Sequence, residues 1–138
     1  MRILFVCTGN ICRSPMAEVV ARWMAGEVVE AASAGIHGLE EAPASAHAVT
    51  VLAEIGLDGS GHVARRLTPA LMARADRIYV MTEEQRSLLS NWPGSPVELL
   101  DPGGGDIPDP YGRSLEDYRD TLRRIMAAVE ARLASWVS

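Results

Sequence analysis

A cysteine, an arginine and a serine stand close together near the start of the sequence. Cys7 ends the apolar run ILFV, five residues follow, and Arg13 and Ser14 come directly before Pro15. A thiolate is a strong nucleophile, an arginine holds two phosphoryl oxygens through parallel N–H groups, and a serine hydroxyl can donate to sulfur. The spacing therefore favours attack on a phosphate ester, with Cys7 as nucleophile, Arg13 as phosphate clamp and Ser14 as partner of the thiolate.

These groups must be positioned by a strand and the helix that follows it. The residues from Arg2 to Cys7 predict a buried parallel strand, and Ser14 and Pro15 suit the N-cap and first position of a helix. Such a turn directs backbone N–H groups and the positive helix end at one point, where they stabilise an anion or a thiolate. We therefore expect an ionised Cys7. The predicted phosphate-binding residues are Thr8, Gly9, Asn10, Ile11, Cys12, Arg13 and Ser14.

A phosphate ester also needs an acid that protonates the leaving group. The loop LLDPGGGDIPDPYGRS offers Asp101, Asp106 and Asp109, and composition alone does not choose between them, since two of the three precede proline. Asp109 is preferred because Tyr111 follows it, and a ring could wall a slot for a flat substrate. Asp101 is the alternative, and Asp106 is interpreted as a solvated loop acid.

Predicted strands alternate with predicted helices along the whole chain, which is typical of a doubly wound α/β fold. We predict a single domain over residues 1–138, with a four-stranded parallel sheet and helices on both faces. Ligands bind beyond the carboxyl ends of strands in such sheets, where Cys7 is expected. The predicted strands are residues 2–7, 28–36, 76–81 and 97–100, and the predicted helices follow Ser14, Thr68 and Ser114 or span residues 45–55 and 83–91.

Composition excludes several other kinds of function. The 138 residues carry a formal net charge of −5, which argues against nucleic-acid binding because that depends on basic surface. The first residues hold too short an apolar run for a signal peptide or a membrane span, so we expect a cytoplasmic protein without membrane insertion. Two cysteines and three histidines are few ligands for zinc, and the loop lacks nucleotide-binding glycine patterns, so no metal or cofactor is expected.

The stretch VCTGNICRSPMAE, residues 6–18, resembles the signature loop of the bacterial low-molecular-weight protein tyrosine phosphatases. The likeness extends to SAG at the second strand, HVARRL at residues 62–67, MT after the third strand and DPYG near the end. The resemblance implies a metal-independent phosphatase that hydrolyses phosphotyrosine in proteins through a cysteinyl-phosphate intermediate. It implies Cys7 and Arg13 in catalysis with Asp109 as acid, and Asn10, Ser33 and His62 as the polar network supporting the loop.

The main alternative is a protein arginine phosphatase with the same mechanism. LTPALMARADRIYVMT, residues 67–82, and Gly112 after DPY resemble that branch, which tends to carry threonine where this chain has Ile11. Ile11, Leu39 and Tyr111 are the residues expected to line the substrate slot. A thiol-dependent arsenate reductase would need further cysteines, and a non-catalytic phosphoprotein-binding module would not need both a thiolate and an acid.

Cys12, five residues after Cys7, has two interpretations. It is the redox partner that forms a disulfide with an oxidised Cys7, or it is a small residue that fills the loop. The sequence does not decide between them.

Overall fold

Strands and helices alternate along the chain, as the sequence predicts. The computed structural model describes residues 1–137; the predicted domain ends at Ser138, outside the described residues. The strands are β1 (Arg2–Cys7), β2 (Glu30–Gly35), β3 (Arg77–Val80) and β4 (Val97–Leu99). The helices are α1 (Arg13–Ala25), α2 (Ala46–Glu54), α3 (Pro69–Arg74), α4 (Glu83–Leu88) and α5 (Leu115–Val137), with a 3-10 turn at Gly26–Val28.

The four strands form one parallel sheet in the order β2-β1-β3-β4. The chain turns to one side of β1 to build β2 and to the other side to build β3. The switch point of the sheet therefore lies between β1 and β3, and a crevice opens there beyond the carboxyl ends of both strands. Cys7 is the last residue of β1, so the fold places its thiol at the mouth of this crevice.

Both faces of the sheet are buried, and the central strand supplies each with alternate side chains. Ile3 and Phe5 belong to the core covered by α1, α2 and α5. Leu4 and Val6 belong to a second core covered by α3 and the end of α4. Helices thus lie on both faces, and the predicted doubly wound α/β fold is confirmed.

The helix starts show which capping predictions hold. Thr68 Oγ1 accepts a hydrogen bond from the Leu71 N–H, and Ser114 Oγ accepts one from the Asp117 N–H, so both predicted caps are confirmed. The prediction that Ser14 caps α1 is wrong. The N-cap is Cys12, without a side-chain cap bond, and Ser14 is the second helical residue.

The remaining differences lie at the ends of strands and helices. The 3-10 turn at Gly26–Val28, which begins with Gly26 at φ 58°, delays β2 from the predicted residue 28 to Glu30. β3 and β4 are one or two residues shorter than predicted, and α4 ends at Leu88. None of the helices within residues 1–137 combines the length and apolar character that a membrane crossing requires.

Candidate active site

The structure brings the three residues of the opening motif together at the end of β1. Cys7 is only 2% exposed, and its sulfur lies 2.9 Å from Ser14 Oγ. Asn10 Nδ2 donates to the same Ser14 oxygen at 2.8 Å, which leaves the Ser14 proton free to point at the sulfur. The Ser14 hydroxyl therefore donates to the Cys7 sulfur.

Asn10 holds the turn of residues 7–14, which we call the thiol loop. Its backbone is left-handed, at φ 58°, a conformation that asparagine tolerates better than most residues. Its Oδ1 accepts from the Arg65 N–H at 2.9 Å, which fixes the amide so that Nδ2 donates to Ser14 and to Ser33 Oγ. His62 Nε2 lies 2.7 Å from the Asn10 carbonyl oxygen and donates to it. The structure thus brings together Asn10, Ser33 and His62, the three residues predicted to support the loop.

Each residue of the SAG triplet at the end of β2 has its own structural role. Ser33 joins the Asn10 network, and Ala34 packs in the second core. A Cβ on Gly35 would lie 2.7 Å from the Thr8 carbonyl oxygen and 2.9 Å from the Asn10 nitrogen. Only glycine fits there, because the backbone of the thiol loop passes directly over it.

Arg13 is buried beside the thiol. Its side chain is 4% exposed, Nη1 donates to the Ile107 carbonyl at 2.9 Å, and Nη2 lies 3.7 Å from Asp109 Oδ2. Its Nε–H is buried and has no hydrogen-bond partner among residues 1–137. An unsatisfied donor on a buried cation is unfavourable unless an acceptor is supplied. The guanidinium is therefore suited to an anionic ligand with several oxygens.

The structure separates the three aspartates of the loop at residues 101–113, which we call the acid loop. Asp109 lines the cavity over Cys7, and its side chain is 50% exposed. Asp106 accepts from the Glu83 N–H and so caps the start of α4. Asp101 accepts from the Gly103 N–H within its own turn and does not line the cavity. Asp106 is an exposed loop acid, as the sequence analysis interprets it, and it also has this structural role.

A cavity of about 240 Å³ connects these groups to solvent. Cys7, Arg13 and Asp109 lie on it together, with Thr8, Gly9, Cys12 and His37 also in its wall. Its outer part is lined by Ile11, Leu39 and Tyr111, the predicted slot residues. Leu39 and Tyr111 are 51% and 61% exposed, so the mouth of the cavity is apolar. Of the predicted loop residues, Asn10 and Ser14 lie behind the wall rather than in it.

Cys12 lies beside Cys7 in the cavity wall but has polar partners of its own. Its sulfur is 3.3 Å from Ser45 Oγ and 3.3 Å from the Tyr118 hydroxyl, and those two hydroxyls are 3.1 Å apart. Burial raises the pKa of the Cys12 thiol. Burial also raises the pKa of Tyr118, to about 12. Neither cysteine forms a disulfide. Because both pKa values are raised, the Cys12 thiol and the Tyr118 hydroxyl are uncharged at neutral pH.

One residue that connects the thiol loop to α4 was not predicted from the sequence. Gln85 is 3% exposed; its Oε1 accepts from the N–H groups of Met81 and Thr82, and its Nε2 donates to Thr8 Oγ1. It spans the crevice between β1 and β3. The capping pattern of Thr82 with glutamine three residues later could have indicated its place in the helix, but nothing in the sequence indicates the bond to Thr8.

No group of three or more His, Cys, Asp or Glu side chains within the described part of the chain is arranged to hold a metal ion. The groups that face the cavity are instead a thiol, a guanidinium and a carboxyl. Together they can deliver a nucleophile, bind an anion and transfer a proton.

Comparisons with known proteins agree with this chemistry. The sequence profile of the low molecular weight phosphotyrosine protein phosphatases matches residues 2–137. The probable low molecular weight protein-tyrosine-phosphatase EpsP of Ralstonia solanacearum is 43% identical over 133 residues, which are 94% of this chain and 91% of EpsP.

Two solved structures are similar to this chain over almost its whole length. Vibrio vulnificus Wzb in complex with benzylphosphonate superposes with a TM-score of 0.91 at 33% identity, covering 97% of each chain. A mutant YwlE arginine phosphatase with a phosphorylated active-site serine superposes with a TM-score of 0.91 at 32% identity, covering 98% of this chain and 95% of YwlE.

Proposed function

Because this chain belongs to the family of low-molecular-weight phosphotyrosine protein phosphatases, whose members share a cysteine-based mechanism, we propose that it removes phosphate from tyrosine side chains of proteins. One observation carries the proposal. The Cys7 sulfur accepts a hydrogen bond from the Ser14 hydroxyl at the floor of a cavity that Arg13 and Asp109 also line.

The first step forms a covalent intermediate. The Cys7 thiolate attacks phosphorus in line, the bond to the leaving oxygen breaks, and Asp109 gives its proton to that oxygen. The Arg13 guanidinium and the backbone N–H groups of the thiol loop stabilise the equatorial oxygens as their charge develops. Asp109 suits the acid's position because its half-exposed carboxyl reaches the mouth of the cavity, where a leaving group departs.

The second step releases phosphate. Asp109, now a carboxylate, takes a proton from water, which attacks the cysteinyl-phosphate and breaks the bond between sulfur and phosphorus. Ser14 assists by donating to the departing thiolate. In YwlE the phosphoryl group was found on the active-site residue itself, which supports a covalent intermediate here.

The walls of the slot favour an aromatic leaving group. Ile11, Leu39 and Tyr111 present apolar surface at the cavity mouth. A phenyl ring packs on such surface without losing hydrogen bonds. A guanidino group carries N–H donors, and each donor left unpaired in a closed slot costs on the order of 1–3 kcal/mol. Wzb, which was solved with the aromatic ligand benzylphosphonate, is consistent with this preference.

A protein arginine phosphatase is the second candidate. The YwlE arginine phosphatase superposes as closely as Wzb, so overall shape does not separate the two activities. The segment at residues 67–82 and Gly112 also favour this candidate. The choice depends on the slot, and above all on Ile11.

Kinetics on matched peptides tests the proposal. Phosphotyrosine and phosphoarginine peptides with identical flanks are compared by kcat/KM, with Cys7→Ala as the inactive control and EDTA added to test for a metal requirement. We expect higher kcat/KM on phosphotyrosine, no turnover in the control and no effect of EDTA. A higher kcat/KM on phosphoarginine would replace the proposed substrate with the second candidate.

The proposed place of action is the cytoplasm, where the thiols of Cys7 and Cys12 stay reduced. Cell fractionation with a tagged chain tests this. Recovery of the protein outside the cytoplasmic fraction would contradict it.

A further inference from the structure

We infer that a second groove beside the cavity receives a basic residue of the substrate protein close to the phosphorylated residue, and that Glu84 and Leu88 select it. The inference rests on the proposed function and adds a sequence preference to it. We call this surface the flanking groove. It lies between the loop after β2, at Ile36 and His37, and the outer side of α4, at Glu84 and Leu88.

The flanking groove adjoins the cavity over Cys7. It has a volume of about 320 Å³, and Thr8, Arg13, His37 and Asp109 line both spaces. A phosphorylated side chain that reaches the thiol leaves its own backbone at the cavity mouth. Neighbouring residues of an extended chain follow at about 3.3–3.6 Å each, so a residue one or two positions away comes to lie over the groove.

Two apolar side chains, Leu88 and Ile36, belong to the wall of the flanking groove. Leu88 is 54% exposed at the end of α4, and Ile36 in the loop after β2 is partly buried. Covering an exposed leucine with an aliphatic chain is favourable, because it removes apolar surface from water. The long methylene stems of arginine and lysine pack on surfaces of this kind while their charged ends stay in water.

Glu84 gives the flanking groove one carboxylate that has no ion-pair partner among the described residues. Glu83 forms an ion pair with Arg86 at 2.9 Å, whereas Glu84 forms none with any residue between 1 and 137. Asp109 adds no free charge, because it lies 3.7 Å from Arg13 and carries its proton when substrate binds. A cationic side chain with its stem on Leu88 therefore has a free carboxylate within the same groove. An acidic neighbour would meet like charge there.

A peptide panel tests the preference. A phosphotyrosine peptide with alanine flanks is compared with versions that carry one arginine or one glutamate at each of the two positions on either side. Exposed ion pairs are weak, so we expect arginine to raise kcat/KM about two- to fivefold at one or two of these positions and glutamate to lower it there. Equal rates for all peptides, or a preference for glutamate, would overturn the inference.

Variants then locate the effect. The readout is the ratio of kcat/KM for the best arginine peptide to that for the alanine peptide, measured within each variant, so that changes in the chemical step cancel. Glu84→Gln should bring this ratio close to one, and Leu88→Ser should lower it. Glu40→Gln removes the same charge from an exposed position next to Leu39, outside the flanking groove, and should keep the ratio of the wild type.

The salt dependence of this ratio and the turnover of the alanine peptide complete the test. The ratio should fall as sodium chloride rises to about 0.5 M, because exposed charges are screened. If Glu84→Gln keeps the ratio, or if Glu40→Gln lowers it equally, the groove is not the determinant and the inference is wrong. Turnover of the alanine peptide without any arginine preference overturns this inference and leaves the proposed function intact. Absence of turnover on every peptide overturns both.

Discussion

The thiol loop and the acid loop face the same cavity but are held in opposite ways. In the thiol loop, Asn10 and Ser14 are fully buried. The Ser33 hydroxyl, the His62 ring and the Arg65 backbone N–H fix the loop through hydrogen bonds to Asn10. In the acid loop, Asp109 is half exposed, and apart from its long contact with Arg13 its only described bond is from the Tyr111 N–H.

The two loops are held differently because the nucleophile and the acid have different requirements. A nucleophile and an anion site work only with fixed donors around them, because reorganising dipoles during the reaction raises the barrier. An acid must reach a leaving group whose position changes with the substrate. Substitutions that disrupt only one of the two loops should therefore affect different kinetic quantities.

The largest effect is expected from the acid. Asp109→Asn removes the only carboxyl group of the acid loop that lines the cavity, so turnover of esters with poor leaving groups should fall by about 10²-fold or more. Asp101→Asn is the matched control and should change turnover far less, because its side chain binds within its own turn. Equal losses in the two variants, or the reverse order, would show that the acid is wrongly assigned.

Breaking the network of the thiol loop should have the next largest effect. Asn10→Asp keeps the acceptor for Arg65 but loses the two donated bonds, and the new carboxylate attracts the Ser14 proton away from Cys7. We expect kcat to fall about tenfold or more, since lost bonds to buried groups cost on the order of 1–3 kcal/mol each. Asn91→Asp, at an exposed site, is the control. Wild-type kcat in Asn10→Asp would contradict the role of the network.

Ile11 belongs to the thiol loop, but it lines the substrate slot and not the hydrogen-bond network of Asn10. Its substitution therefore tests the substrate preference. Ile11→Thr provides a hydroxyl acceptor and removes apolar wall, so the ratio of kcat/KM for phosphoarginine over phosphotyrosine should rise about tenfold. The measurement uses the matched peptides described above. An unchanged ratio would mean that Ile11 does not set the substrate preference.

The smallest effect on rate is expected at Cys12. Burial raises the pKa of its thiol, so peroxide should oxidise Cys7 first, and the resulting sulfenic acid can condense with the Cys12 thiol to a disulfide with loss of water. Cys12→Ser should keep most of its initial rate but recover less activity with dithiothreitol after brief peroxide treatment. Recovery equal to that of the wild type would leave Cys12 as a residue that only fills the loop.

Contacts between residues that are close in sequence could be predicted from the sequence. Cys7, Arg13 and Ser14 are close in sequence, so a strand followed by a helix was enough to predict that they meet. The α/β order followed from alternating apolar segments and from caps such as Thr68 and Ser114.

Contacts between distant segments could not be predicted in the same way. The bond from Gln85 to Thr8 joins residues 77 positions apart and depends on the sheet order. Ser14 was misplaced as a cap for a related reason. A serine before proline has the local pattern of an N-cap, but its hydroxyl is engaged by Cys7 and Asn10, which only the folded loop brings to it.

Trapping the covalent intermediate is the most direct test of the central claim that Cys7 is the nucleophile of a phosphatase. Asp109→Asn protein is mixed with p-nitrophenyl phosphate, whose leaving group needs little acid, quenched rapidly in acid and digested for mass spectrometry. The account predicts one phosphoryl group on the peptide that contains Cys7, and none when Cys7→Ala is added. A phosphoryl group on another residue, or full turnover with Cys7→Ala, would contradict it.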